Sequence, residues 1–178
     1  ARMSEDADFT VTEDLAELRK SVSALLQQSG LFIRITSGKT MEDFLRLEAW
    51  YGTAEGEERV LIDLNRRAKL LRNPERHAIP HFYAEAIPSF SCTTLSRDEM
   101  IAEKMRAAIM RNKPRDHFDL YRIIKEGLPI DLHLVREKCA QAEIQFDIIR
   151  MFNRAQTLKN RWDADLLPLL AEEVSFHE

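Results

Sequence analysis

The chain has 178 residues, enough for one domain or two small subdomains around a hydrophobic core. Hydrophobic residues make up 44% and charged residues 31%, a composition that excludes a disordered protein. The formal net charge of −4 excludes an overall basic field that would attract nucleic acid or an anionic membrane. Short apolar runs exclude a membrane span. Two cysteines cannot form a disulfide framework or a thiolate zinc site, so we expect a cytoplasmic location.

Glycine is scarce, and none of the five glycines lies in a glycine-rich phosphate-binding loop. Within these residues the sequence therefore excludes the Walker A loop and the dinucleotide-binding fingerprint, which need glycines at fixed spacing. The sequence begins at Ala1 and is polar and strand-like almost at once. We therefore expect a fragment whose natural start lies upstream.

The first half of the chain is rich in strand signals. Residues 4–11 alternate between polar and apolar side chains, as in a strand with one buried face. Thr12 is the predicted N-cap of a helix that ends near Gly30. Further strands are predicted at 31–36, 43–51, 58–66 and around 83–87. A connection is predicted at 37–40 and a hairpin turn at 52–56.

The pattern changes to helices after residue 95. Ser96 followed by Glu99 predicts a capping box at the start of one helix. Pro114 interrupts the helical pattern, a second helix is predicted at about 115–125, and Asp131 begins further helices that continue through residue 170.

These elements predict an α+β fold, in which a mixed β-sheet with flanking helices is followed by a C-terminal helical bundle. The predicted domains are a sheet domain at 1–95 and a helical domain at 96–178.

Three aspartates form the first candidate site. Asp6 and Asp8 are two residues apart on a strand, so their Cα atoms lie on one face about 6.5–7 Å apart and both carboxylates can reach one hard cation. Asp63 lies on the polar face of its own strand and completes a three-carboxylate cluster if the two strands are neighbours. The alternative is a solvated polar strand face, with Asp63 a surface acid beside Arg66.

Charged residues on two successive helices form the second candidate site. Lys104 and Arg111 are seven residues apart and flank Ala107, whose small side chain lets a phosphate approach the helix. Asp116 and Asp119 share one face of the next helix, where Arg115 can pair with Asp119. The alternative is an ion-pair lattice on solvated helices, in which each exposed pair contributes about 0.2–0.5 kcal/mol.

In their order along the chain, these motifs resemble the AbiEii/AbiGii-type nucleotidyltransferases, DNA polymerase-β-like transferases of which many are toxins of toxin–antitoxin or phage-defence pairs. The resemblance covers about residues 2–125. It rests on Arg2-x-Ser4-Glu5-Asp6-x-Asp8-Phe9, on Glu99-Met100-Ile101-Ala102-Glu103-Lys104 with Ala107 and Arg111, and on Arg115-Asp116-x-x-Asp119-Leu120.

The resemblance implies a nucleotidyltransferase-like sheet and metal-dependent transfer of a nucleotide from a nucleoside triphosphate (NTP) to an acceptor. Asp6, Asp8 and Asp63 are the implied ligands of Mg²⁺ or Mn²⁺, and together with Lys104 they are the implied catalytic residues. The implied nucleotide-binding residues are Ser4, Lys104, Arg111, Arg115, Asp116 and Asp119, of which Asp116 and Asp119 are expected to orient Lys104 or Arg115 and not to bind metal. The family also carries a Gly-Gly or Gly-Ser turn shortly before the aspartates, which the printed sequence does not contain.

Two other functions fit the same residues. One is a catalytically impaired, transferase-like binding module that acts through a partner protein, and the other is a small-molecule transferase of the aminoglycoside-modifying type. The expected acceptor of the leading function is RNA, tRNA ends in particular, or a protein hydroxyl, and the expected partner protein is an antitoxin. A local basic stripe consists of Arg66, Arg67, Lys69, Arg72 and Arg76. It either contacts the phosphates of RNA or is a solvated sheet edge that discourages aggregation.

Overall fold

A computed structural model describes residues 6–67, 69–79, 81, 83, 85, 87–170 and 174–176. The chain divides into two compact units, residues 1–69 and residues 70–178. Among the described residues, no helix combines the length and the apolar character that crossing a membrane requires.

The first unit contains one four-stranded mixed sheet and one helix. The strand order is β1-β4-β3-β2, with β1 parallel to β4 and the other neighbours antiparallel. The elements are β1 (Asp6–Thr10), α1 (Leu15–Gln28), β2 (Arg34–Met41), β3 (Phe44–Thr53) and β4 (Gly56–Asn65). The predicted hairpin is thus confirmed, because β3 and β4 pair from Phe44↔Asn65 to Thr53↔Gly56.

Helix α1 packs against one face of this sheet. Leu15, Leu18 and Val22 contact a core that includes Leu45 and Leu47 of β3, and burial of each leucine contributes about 1.5–3 kcal/mol. Alternate residues of each strand point the other way. The opposite face is therefore the one that carries the polar side chains of β1, β3 and β4.

Two local predictions for this unit are wrong. The N-cap of α1 is Asp14 and not Thr12: the Asp14 carboxylate accepts hydrogen bonds from the N–H groups of Ala16 at 2.9 Å and Glu17 at 3.1 Å. Residues 37–40 are not a connection, because they lie inside β2, where the register with β3 shifts at a bulge between Ser37 and Thr40. The bulge keeps the strand paired, so a turn-like composition is compatible with a sheet edge.

The second unit combines a two-stranded antiparallel sheet with helices. Its strands are β5 (Glu75–Ile79) and β6 (Phe90–Thr94), and its helices are α2 (Arg97–Met110), α3 (Pro114–Lys125), α4 (Leu132–Gln141), α5 (Ile148–Ala155) and α6 (Lys159–Leu166), with 3₁₀ turns at Gln156–Leu158 and Leu167–Leu169. The strand expected around 83–87 is not observed at Tyr83, Glu85 and Ile87, which lie in irregular backbone between β5 and β6. Proline at 88 and the turn hydrogen bond from Ile87 N–H to the Tyr83 carbonyl favour that connection.

The core of the second unit has one cluster built mainly from α2, α4 and α5 and a second cluster built from α3 and α6. Met105, Ile109, Leu134 and Met151 are among its buried side chains. The predicted α+β class is confirmed. The predicted domain boundary at residue 95 follows the change from strands to helices, whereas the compact units divide at 69/70 and place the β5–β6 hairpin with the helices.

Candidate functional site

One row of side chains crosses three neighbouring strands on the polar face of the first unit's sheet. Asp8 of β1 is the register partner of Asp63 of β4, and Asp63 is the register partner of Arg46 of β3. Neighbouring strands lie about 4.8 Å apart, so the two carboxylates and the guanidinium follow one another across the sheet. Asp6 lies two residues before Asp8 on the same strand face.

Arg46 and Asp63 form a bidentate ion pair within this row. Arg46 Nε donates to Asp63 Oδ1 at 2.7 Å and Nη2 donates to Oδ2 at 2.6 Å. Asp63 is buried, with 7% of its surface exposed, while 32% of the Arg46 side chain is exposed. The hydrogen bonds to Asp63 are the largest influence on Arg46 and raise its pKa above its usual value, and the charges of Asp6 and Asp8 act in the same direction.

The chemistry and placement of the aspartates determine whether they can form a magnesium site. Asp6 is half-buried and Asp8 is exposed, and both offer hard oxygen donors from one strand face. In proteins Mg²⁺ is often held by only one or two carboxylates, with substrate phosphates and water as the other ligands. Asp6 and Asp8 fit such a site. Across the described ranges, no group of three or more His, Cys, Asp or Glu side chains forms a metal site on its own, so the role of Asp63 as a third ligand stays a prediction.

A second polar constellation lies on α2 and α3 of the second unit. Lys104 Nζ donates to Asp119 Oδ2 at 2.7 Å, with 40% of the lysine and 16% of the aspartate side chain exposed. The predicted orientation of Lys104 by an aspartate is therefore a contact in the structure. It leaves the ammonium group both fixed and accessible to solvent.

The end of α2 is joined to the start of α3 by a second bidentate ion pair. Arg111 Nε donates to Asp116 Oδ2 at 3.1 Å, and Nη2 donates to Oδ1 at 2.7 Å. Asp116 is 3% exposed. The residue that Asp116 orients is thus Arg111, where the sequence predicted Lys104 or Arg115. Arg115 is half-buried in the first turn of α3, and predicted site residue Ser4 lies outside the described residues.

A buried network fixes α2 behind Lys104. Lys138 of α4 pairs with Glu99 of α2 and also contacts Glu103 Oε1 at 3.2 Å. Burial alone would raise the pKa of Glu99, but the hydrogen bond from Lys138 and those from the N–H groups of Leu71 and Arg72 outweigh it and lower that pKa below its usual value. Ser96 accepts from Glu99 N–H as expected of an N-cap, whereas the Glu99 carboxylate bonds these other groups.

The family of the chain follows from its sequence taken as a whole. Residues 1–176 match the family model described as "Nucleotidyl transferase AbiEii toxin, Type IV TA system". The chain belongs to this family. No curated protein matches the sequence.

Two solved structures resemble this member of the AbiEii family. MenT4, a nucleotidyltransferase toxin from Mycobacterium tuberculosis H37Rv, is 21% identical with a TM-score of 0.62, and the match covers 97% of this chain and 63% of MenT4. JHP933 from Helicobacter pylori is 18% identical with a TM-score of 0.48, and the match covers 94% of this chain and 64% of that one. This AbiEii chain therefore spans less than two thirds of either neighbour, and the likeness to MenT4 shows a shared fold.

Two parts of the site were not found from the sequence of this AbiEii chain. Arg46 was missed, although its alternation with Leu45 and Leu47 places it on the polar face of β3; only the strand register shows that it meets Asp63. Lys138 was missed because a lysine in a helix is normally exposed. Of the basic stripe, Arg66, Arg67 and Lys69 are exposed after β4, while Arg72 pairs with Asp131 at 3.5 Å, and its contact with RNA stays a prediction.

Proposed function

We propose that this protein is a nucleotidyltransferase that transfers a nucleotide from an NTP to an acceptor hydroxyl. The observation that carries the proposal is the pair Asp6 and Asp8 on one face of β1, next to Asp63 and Arg46 in the strand register. Family membership supports the same reaction. The pair is suited to holding Mg²⁺ or Mn²⁺, which when bound neutralises phosphate charge and orients a triphosphate for in-line attack.

The chain's own residues bind the cation and contact the phosphate oxygens. Asp6 and Asp8 bind the cation through carboxylate oxygens, and Asp63 supports the site from the neighbouring strand. Lys104, held by Asp119, donates hydrogen bonds to phosphate oxygens and stabilises the charge that develops on them. Arg111, held by Asp116, presents the same kind of donor at the end of α2.

The acceptor and the partner follow from the family. RNA, including tRNA ends, or a protein hydroxyl is the proposed acceptor, with the exposed Arg66, Arg67 and Lys69 as candidate contacts to phosphates. The family model describes toxins of toxin–antitoxin systems. We therefore propose a toxin role and an antitoxin as the partner.

The test is transfer of labelled nucleotide from each of the four NTPs, with Mg²⁺, to total cellular RNA or protein. Asp6→Ala and Lys104→Ala should each abolish transfer, because one removes a cation ligand and the other a phosphate contact. Lys20→Ala and Asp163→Ala are matched controls, since both remove a charge from an exposed helix position, and they should keep wild-type activity. Full activity in Asp6→Ala or Lys104→Ala would refute the assigned roles.

A further inference from the structure

The sheet face that carries Asp6 and Asp8 also carries one built-in cation, Arg46. Its guanidinium is clamped to Asp63 by two hydrogen bonds of 2.7 Å and 2.6 Å. A fork of this kind fixes the plane of the guanidinium and the rotamer of the carboxylate together. Both oxygens of Asp63 are therefore already bonded to a cation of the protein itself, the guanidinium of Arg46.

The stem of Arg46 is also held in place, by the bulged strand β2. A Cβ atom at Gly38 would lie 3.2 Å from Arg46 Cγ and 3.4 Å from Arg46 Cδ. The contact with Cγ is tighter than most Cβ contacts, so a larger residue at this position would push the arginine stem by a few tenths of an ångström. The bulge at residues 37–40, the arginine stem and the buried Asp63 thus form one built arrangement around the guanidinium.

The geometry of the ion pair leaves the Nη1 donors of Arg46 outside the fork. The fork uses one N–H of Nε and one of Nη2, so it does not occupy the two N–H groups of Nη1. One third of the Arg46 side chain is exposed, whereas Asp63 is buried. The accessible member of the pair is the arginine, and an anion can reach it without breaking the pair.

We propose that Asp63 is a positioning residue that holds Arg46 beside Asp6 and Asp8, and that Arg46 contacts a phosphate oxygen of the nucleoside triphosphate. On this assignment the cation is held by Asp6 and Asp8 alone, and Asp63 is not its ligand. The nucleotide half of this inference rests on the proposed function, whereas the metal half does not.

The first experiment measures binding of Mn²⁺ alone, by electron paramagnetic resonance, to purified wild type and variants. Asp8→Asn should weaken Mn²⁺ binding about tenfold or more, since it removes a direct carboxylate ligand from a site that has few. Asp63→Asn should weaken Mn²⁺ binding much less than Asp8→Asn, because Asp63 supplies no direct ligand and acts on the cation only through its charge and its pair with Arg46. A loss in Asp63→Asn as large as that in Asp8→Asn would overturn the assignment.

The second experiment measures binding of each Mg²⁺–NTP complex by calorimetry. Arg46→Gln should weaken it by about tenfold to a hundredfold, the range expected for a charge-assisted hydrogen bond to phosphate. Arg34→Gln is the matched control, because it removes the same charge from the same sheet while Arg34 is half exposed and pairs with Glu57. Unchanged NTP affinity in Arg46→Gln, or an equal loss in Arg34→Gln, would overturn the contact.

Two further comparisons distinguish failure of this inference from misfolding of a variant and from failure of the proposed function. Arg46→Lys keeps the charge but not the fork, so it should fold and bind Mn²⁺ like wild type while its NTP affinity falls. Wild-type affinity for NTP in Arg46→Lys would overturn the requirement for a positioned guanidinium. A wild-type protein that binds Mn²⁺ but no NTP would overturn the proposed function together with the nucleotide half, and the comparison of Asp63→Asn with Asp8→Asn would still decide the role of Asp63.

Discussion

Lys138 and Glu99 form an ion pair that is almost completely shielded from water, with 1% and 0% of their surfaces exposed. Each charge has lost its hydration, and the other charge, together with the N–H groups of Leu71 and Arg72, replaces it. The pair connects α4 to the helix that carries Lys104. It therefore determines both the stability of the second unit and the position of a proposed phosphate ligand.

Lys138→Met should destabilise the protein by about 3–5 kcal/mol, because it leaves Glu99 buried without its cation. Urea unfolding followed by circular dichroism measures this loss. Arg122→Met is the control, since Arg122 pairs with Glu126 on the exposed side of α3, and its loss should stay below about 0.5 kcal/mol. Similar losses in the two variants would contradict a dominant role for the buried pair.

His117 predicts a pH dependence of stability above the range in which carboxylates titrate. Burial is the largest influence and lowers the pKa of its imidazole below 6.5, and the charge of Arg154 acts in the same direction while Asp116 opposes both. The unfolded chain then binds a proton more readily than the folded protein, so stability should fall as the pH drops below about 6.5, by at most about 1.4 kcal/mol per pH unit.

Thermal unfolding of wild type and His117→Gln between pH 7.5 and 5 checks this contribution. The variant should lose less stability than wild type over that interval, because its side chain does not titrate. Parallel pH profiles for the two proteins would mean that His117 is not held in its neutral form.

The start of α1 offers a test of the observed cap against the predicted one. Asp14→Ala should destabilise the first unit by about 1 kcal/mol, since two N–H groups of the first turn lose their acceptor. Thr12→Ala should have an effect below about 0.5 kcal/mol, because Thr12 lies outside the helix and is exposed. Chemical denaturation of both variants decides between them, and a larger loss in Thr12→Ala would favour the cap expected from the sequence.

Asp119→Asn should lower the rate of nucleotide transfer without unfolding the protein. The amide is nearly isosteric but lacks the charge that fixes Lys104, and misplacement of a catalytic group by ~1 Å costs up to about 10²-fold in rate. Transfer assays should therefore show a fall of about tenfold to a hundredfold. Asp165→Asn, which affects an exposed pair with Arg161, is the control, and wild-type rates in Asp119→Asn would mean that Lys104 needs no such support.

Residues close in sequence were the most predictable part of this protein. The β3–β4 hairpin, the aspartate pair on β1 and the caps at Ser96 and Asp131 depend on neighbours within a few residues, and local spacing indicates them directly. The nucleotidyltransferase family was likewise recognised from ordered motifs and is confirmed by the family match.

The features that sequence reasoning missed depend on pairing between distant segments. Arg46 meets Asp63 because β3 and β4 are in one particular register, and a shift of two residues would leave the same side chains apart on the same face. Glu99 meets Lys138 because α2 packs against α4, although Glu99 also has the spacing of a capping box. A local pattern cannot distinguish a carboxylate that turns back to its own helix from one that bonds a distant chain segment.

The short elbow between α2 and α3, residues 111–113, has a length on which the geometry of the site depends. Arg111 and Asp116 close the elbow from its two sides, so one added residue at 111–113 would separate the two ends of this ion pair and disturb the position of Asp119 relative to Lys104. Loop grafts and fusion partners should therefore leave this interval at its natural length. The exposed hairpin tip at Ala54 and Glu55 is the better place to insert a label.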